Sequence, residues 1–363
     1  MNFDYNEEQQ LLADSVRRFL QKDYEFEARK KIVADGASDK VWGAFAEMGL
    51  AGIPFSPDYG GFGGGAVDLM SVMEAFGEAL VVEPYLATLM GARCVAAAGS
   101  DAQKKAILPQ VVEGKLRMAL AFSERGARYD LAPSAVKAKK AGGGWALDGE
   151  KVVVLGAPLA GKLVVSAQAP AGPSLFLVDA KAAKLKPYRT LDEMRAADVV
   201  LGGTPAELLG GEGKAQAVID EVVDFGTALV CAEAVGAMKF SCDTTLEYLK
   251  TRKQFGVPIG TFQALQHRMV DMYVAYEQAK SMACLACSKV DGPDAAERAR
   301  SVSAAKIKVA DNARLVSQEA IQLHGGMGMT EELKVSHAFR RLTMIAQQFG
   351  DADHHLERFA RAG

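Results

Sequence analysis

Several common chemistries lack their residues in this chain. Across 363 residues it carries five cysteines, five histidines and two tryptophans, and its 42 basic residues are outnumbered by 45 acidic ones. An odd set of cysteines (Cys94, Cys231, Cys242, Cys284, Cys287) lying mostly in apolar helical runs argues against a closed disulfide framework and points to a reducing cytoplasm. Cys284 and Cys287 have the spacing of a zinc or redox pair. They sit in an apolar helical pattern with no second Cys or His cluster beside them, so they read as core packing and no metal is expected. A net charge of −3 leaves no basic excess to neutralise a phosphate backbone, which argues against nucleic acid. No apolar run reaches the ~20 residues of a membrane span. Nor does the opening Asn2-Phe3-Asp4-Tyr5 lead from a basic stretch into an apolar one, so no signal peptide is expected.

What is present is a chain that is 49% hydrophobic and long enough to bury a large core in two or three domains. Residues 1–115 repeat apolar side chains at helical spacing, as in Leu11, Leu12, Val16, Phe19 and Leu20. Only a turn-rich insert from Ile53 to Gly65 interrupts them. Its glycines neither follow a strand nor end in Lys-Ser or Lys-Thr, so they predict an interhelix loop and not a phosphate loop. From 116 to 213 the pattern shifts to short β-rich runs (Met118 to Phe122, Trp145 to Asp148, Lys151 to Leu155, Lys162 to Ser166, Ser174 to Val178) with no helices between, which predicts an antiparallel barrel or sandwich. Residues 214–363 return to long amphipathic helices, one ending at Lys253, one from Gln263 to Lys289, and a third after the Asp291-Gly292-Pro293 turn.

Two segments of that last region combine groups suited to a dinucleotide. Arg252-Lys253-Gln254-Phe255-Gly256 offers a planar fork for phosphate oxygens and an aromatic face for a flat ring. Gln322-Leu323-His324-Gly325-Gly326-Met327-Gly328 offers an amide and a backbone free of Cβ atoms. Either alone also fits a helix cap or a turn.

In this order, and with Ile53-Pro54, Tyr59-Gly60-Gly61, Ser123-Glu124-Arg125-Gly126-Ala127, Leu147 to Lys151 and Ala232 to Gly236, these segments make the whole chain resemble the acyl-CoA dehydrogenase family. The resemblance implies an α+β architecture: an N-terminal helical domain, a middle antiparallel β-barrel domain and a C-terminal four-helix bundle. It implies FAD as cofactor, an acyl-CoA as substrate and an electron-transferring flavoprotein as electron acceptor. It also implies that Arg252, Gln254, Phe255, Gln263, Gln322, Gly325 and Gly326 grip the tail of a neighbouring subunit's FAD, while Ser123 meets the flavin pyrimidine.

The same resemblance exposes gaps. The family's glutamate base falls on Phe349, and the minority position on the preceding helix falls on Gly226, with Thr227 in place of an adjacent arginine. Asp351 and Asp224 lie close by in sequence, but each also reads as a cap or turn residue. The strand that covers the flavin with Trp-Ile-Thr in relatives is Val152-Val153-Val154-Leu155 here, and Tyr129 stands in place of a serine. The expectation is therefore a small subunit of an α2β2 assembly whose partner is a larger homologous acyl-CoA dehydrogenase chain. A non-catalytic scaffold and a self-sufficient homotetramer with an unconventional base are the alternatives.

Overall fold

The computed structural model describes residues 5–362, which fall into two compact units. Residues 31–64 and 82–226 form one; those up to Lys30, 65–81 and 227 onward form the other. In chain order the helices are α1 (Glu7–Asp23), α2 (Phe26–Asp35), α3 (Asp39–Glu47), α4 (Ala66–Ala79), α5 (Tyr85–Ala98), α6 (Asp101–Val112), α7 (Gln216–Thr251), α8 (Gln263–Val290), α9 (Ala295–His324), α10 (Lys334–Gln347) and α11 (Ala352–Arg361). The strands are β1 (Met118–Ala121), β2 (Lys137–Ala141), β3 (Gly144–Leu155), β4 (Lys162–Ala169), β5 (Gly172–Asp179), β6 (Lys184–Arg189), β7 (Arg195–Leu209), β8 (Lys253–Gln254) and β9 (Val257–Pro258).

In the unit containing 82–226, β4, β2, β3, β7 and β5 pair in a closed ring, with β1 added beside β4 and β6 beside β7. Closure lets alternate side chains fill a single interior built from Leu147, Leu163, Val165, Phe176 and Val199. The ring is antiparallel except where β1 and the end of β2 run parallel to β4, a departure from the all-antiparallel expectation. Trp145 to Asp148 and Lys151 to Leu155, separate runs in the sequence, are one strand bent at two register shifts. β2 and β6 escaped notice because their exposed lysines hide any apolar alternation.

The other unit is helical. Asn6 and Gln9 cap α1 reciprocally, each side chain accepting the other's backbone N–H, at 2.8 and 3.0 Å. Asp291, in the turn foreseen between α8 and α9, accepts the Ala66 N–H at 2.7 Å and so closes the start of α4. α9 packs against α8, α10 and α11. Among these helices α7 breaks the amphipathic expectation: every residue from 222 to 238 is buried. Its small residues explain how. A Cβ on Gly236 would lie 1.9 Å from the Glu74 carbonyl oxygen of α4, and one on Gly77 would lie 1.9 Å from the Glu233 carbonyl oxygen. The two helices thus cross with backbones touching, each through the other's glycine.

Candidate cofactor-binding site

α7 ends at Thr251, and Tyr248 in its last turn stacks on His324, the last residue of α9, with ring centroids 4.4 Å apart. That contact brings Arg252, one turn beyond Tyr248, and Gly325-Gly326 to the same end of the unit. Gln263 joins them, because the Ile259 N–H donates to the Arg252 carbonyl at 2.8 Å and so folds the start of α8 against the end of α7.

Between those helices β8 and β9 form a minimal hairpin with Gln254 opposite Val257. Its tip, Phe255-Gly256, has φ of +54° and +82°, the left-handed pair that a tight two-residue turn requires. Glycine accepts such a φ; phenylalanine does so at a cost of ~1 kcal/mol. Yet the Phe255 ring is 92% exposed, its one aromatic neighbour being Phe262 at 6.2 Å. Arg252, Gln254, Gln263, Gln322, Gly325 and Gly326 are exposed too. The Arg252 guanidinium makes no ion pair or hydrogen bond among the described residues. Gly325 needs its freedom for φ +62°, but a Cβ on Gly326 would meet nothing within 4 Å. Among the described residues nothing demands a glycine at 326, whereas a ligand lying on that backbone would. A fork without a carboxylate, a bare backbone and an aromatic face in water together fit the phosphates and flat ring of a dinucleotide tail.

Ser123 lies in the β unit, half-buried, its carbonyl accepting from the Val152 N–H at 3.0 Å. Its neighbours are fixed by a buried ion pair that sequence reading missed. The Glu124 carboxylate accepts from Lys151 Nζ at 2.9 Å and from the amides of Ser134, Ala135 and Val136 at 2.9, 2.7 and 3.0 Å. Lys151 also donates to the Phe122 carbonyl at 3.1 Å and to Ser166 Oγ at 2.9 Å. Burial alone would raise the Glu124 pKa, but Lys151 and the three amides outweigh it and bring it to about 2. Burial lowers Lys151 to about 8 against the pull of Glu124. The pair is ionised at neutral pH. Just beyond, Val152 and Val153 together oppose Asp198, a bulge in which Val153 takes φ +52° and donates its N–H to Asp198 at 3.2 Å.

At the two positions the resemblance marks for a base, Phe349 is half-buried with φ +63°, and Gly226 lies in the buried stretch of α7. Asp351 accepts from the His354 N–H at 2.9 Å as the N-cap of α11. Asp224 is buried within α7, not in a solvated turn. The loop bearing Phe349 is wrapped around Lys306 of α9, which is fully buried and donates to the carbonyls of Ala346, Gln348 and Gly350 at 3.3, 2.8 and 2.7 Å. Burial pushes this ammonium down to about 8. His355, driven down to about 3 chiefly by burial and then by Lys306, is neutral; its Nε2–H donates to the Phe349 carbonyl at 3.2 Å and Nδ1 accepts from Ser303. Lys306 was findable: it falls on the stripe Val302, Ala305, Val309 and Ala313 that α9 buries. Cys284 and Cys287 are buried free thiols, as the core-packing reading expects.

A helical start, a closed β ring and a helical end are the architecture that the sequence resemblance implies. Residues 6–115 match the N-terminal domain of acyl-CoA dehydrogenase and residues 216–363 its C-terminal domain, so the chain belongs to the acyl-CoA dehydrogenase family. The acyl-CoA dehydrogenase FadE12 of Mycobacterium tuberculosis is 30% identical over 92% of this chain and 90% of its own. The solved structure of PigA with FAD and proline superposes with a TM-score of 0.90 at 27% identity, covering 99% of this chain and 98% of that one. The ChsE4–ChsE5 complex from Mycobacterium tuberculosis, at 24% identity, shares the fold with a TM-score of 0.91 over 99% of this chain and 98% of that one. FAD is the cofactor this membership implies. Among the described residues no helix is long and apolar enough to cross a membrane.

Proposed function

We propose that this chain is the small subunit of a two-gene acyl-CoA dehydrogenase, resembling the small subunit of pimeloyl-CoA dehydrogenase, and that it clamps FAD held by a larger homologous subunit in an α2β2 heterotetramer. The observation that carries the reading is Phe255: a strained backbone that holds an aromatic ring in water costs the lone chain twice, and a partner's ligand would recover both. Arg252 would face the pyrophosphate, Phe255 the adenine, and Gln322, Gly325 and Gly326 would line the path between them, with Gln254 and Gln263 at its rim. Ser123 would reach a flavin pyrimidine from the β unit. The reaction is α,β-desaturation of an acyl thioester, for which FAD supplies the hydride acceptor. It also needs a carboxylate at the α carbon. Phe349 and Gly226 have none, Asp351 caps α11, and Asp224 is buried within α7. The base therefore comes from the larger subunit.

A two-chain assembly on this fold has a parallel in the ChsE4–ChsE5 complex. A dicarboxylyl or other bulky CoA ester is the substrate class, an electron-transferring flavoprotein the acceptor, and the cytoplasm, consistent with five free cysteines, the compartment. The test is co-expression with the larger homologue. We expect little FAD and no turnover from the lone chain, and both from the complex. Arg252→Ala should strip FAD from an intact complex; unchanged flavin content would make the chain a scaffold, and turnover by the lone chain would end the two-subunit reading.

A further inference from the structure

A second cluster of ionisable groups lies away from the clamp, around Glu74 on α4. Its carboxylate is buried, and Oε1 has no hydrogen-bond partner. From the α1 side it meets Tyr5, whose buried hydroxyl acts on the carboxylate without completing a hydrogen bond of normal geometry, and Arg17, 3.9 Å from Oε2. Arg17 lies closer, at 3.4 Å, to Glu78 one turn further along α4. From α8 the carboxylate interacts with Lys280, Tyr276, Cys284 and Cys287. From α7, Gly236 packs on the Glu74 backbone, and the Lys239 ammonium acts on Arg17 and Glu78. Ser71, one turn earlier on α4, is another buried hydroxyl without a partner. Arg17 is thus divided between two carboxylates, and the polar atoms nearest the buried one are left unsatisfied. An ionised carboxylate in such a place is costly, whereas a neutral one is tolerable.

We propose that Glu74 is a proton-operated latch for α1: when neutral it lets the segment from Tyr5 to Asp23 seat on α4, and when ionised it loosens that helix. Other tethers of α1 include the Gln9 to Asp68 hydrogen bond at 3.0 Å, the Arg17 to Glu78 pair and the buried side chains of Ala13, Val16 and Leu20.

The sign follows from linkage. Burial raises the Glu74 pKa to about 7, with the Tyr5 hydroxyl, then Lys280 and Arg17, pulling the other way, whereas with α1 lifted the group returns toward its ordinary 4.5. Its contribution to seating is therefore complete below the ordinary value and lost as pH rises through about 7. Those two values make the opening equilibrium of α1 about tenfold more favourable at pH 8 than at pH 6.

Amide hydrogen exchange of the full chain at pH 6, 7 and 8, corrected for intrinsic rates, reads this directly. Protection of α1 should fall about tenfold across the range while that of α9 holds, and Glu74→Gln should abolish the slope. A flat wild-type profile overturns the latch, and so does a slope that persists in Glu74→Gln. Glu74→Met, which also cannot ionise, repeats the test should the amide disturb folding.

Discussion

The reciprocal glycine crossing makes Gly236→Ala a substitution whose sign separates two arguments. Judged as a helical residue alone, alanine should stabilise α7 by about 1 kcal/mol, since glycine is the costlier helix former. Judged by packing, the new Cβ would sit 1.9 Å from the Glu74 carbonyl oxygen, where ordinary contact begins at 3.4 Å. The obstacle is backbone on α4, which cannot rotate away. The helices would have to part by about 1.5 Å, the difference between those distances. Glu233, one turn earlier on α7, is held by Arg341 of α10 through two bonds of 2.6 Å, so the shift would strain that buried pair as well. Overpacking of this kind costs about 1–3 kcal/mol or more, and we expect a net loss of about 2 kcal/mol. Urea unfolding with shared slopes measures it. Gly43→Ala is the matched control: it lies in α3 with nothing within 4 Å of its Cβ, and should stabilise by about 1 kcal/mol. If Gly236→Ala were as stable as wild type, or more so, backbone contact would not be what requires the glycine.

Four further outcomes follow from the buried charges and the bulge. Lys151→Met should cost about 3–5 kcal/mol in denaturant unfolding, because it strands the Glu124 carboxylate inside the β unit. With Lys151 present, Glu124 stabilises fully above the ordinary carboxyl pKa and loses that contribution as pH falls toward about 2; acid titration followed by near-UV circular dichroism should show the loss, and Glu124→Gln should flatten it. Lys306→Met leaves three carbonyls without their donor and should raise hydrogen exchange at the α10 to α11 corner more than anywhere else in its unit. Val153→Gly should stabilise by about 0.5–1 kcal/mol in thermal unfolding, since relief of a β-branched residue from left-handed backbone exceeds the added chain entropy.

Helices whose one face meets water were legible in the sequence, because their period survives: α8 and α9 begin and end close to where spacing and turns place them. α7 was legible in position but not in character. Burial on all sides erases the period, and only the close approach explains why Gly77 and Gly236 are glycines. In the β unit, strands with apolar runs stood out, whereas β2 and β6 did not, because lysine alternation carries no hydrophobic signal. The residues proposed to clamp FAD were readable as types, but their convergence depends on the stacking of Tyr248 on His324, a tertiary contact that spacing cannot express. Glu124 and Lys151 were both visible within motifs. That they form one pair depends on the segment after β1 lying against β3, where the Val152 N–H donates to the Ser123 carbonyl.

Closure of the β ring also bears on how the chain survives its own folding. Strands joined end to end leave no ladder for another molecule to extend, and β1, the strand outside the ring next to β4, is covered by α5. β6 is different, paired only with β7 and almost wholly exposed. Its six residues are Lys-Leu-Lys-Pro-Tyr-Arg. Three cations repel an identical strand and the proline withholds an amide, so two copies meeting edge to edge during synthesis would find nothing to zip. Keeping copies of the β unit from pairing edge to edge thus falls largely to one short strand being a poor template.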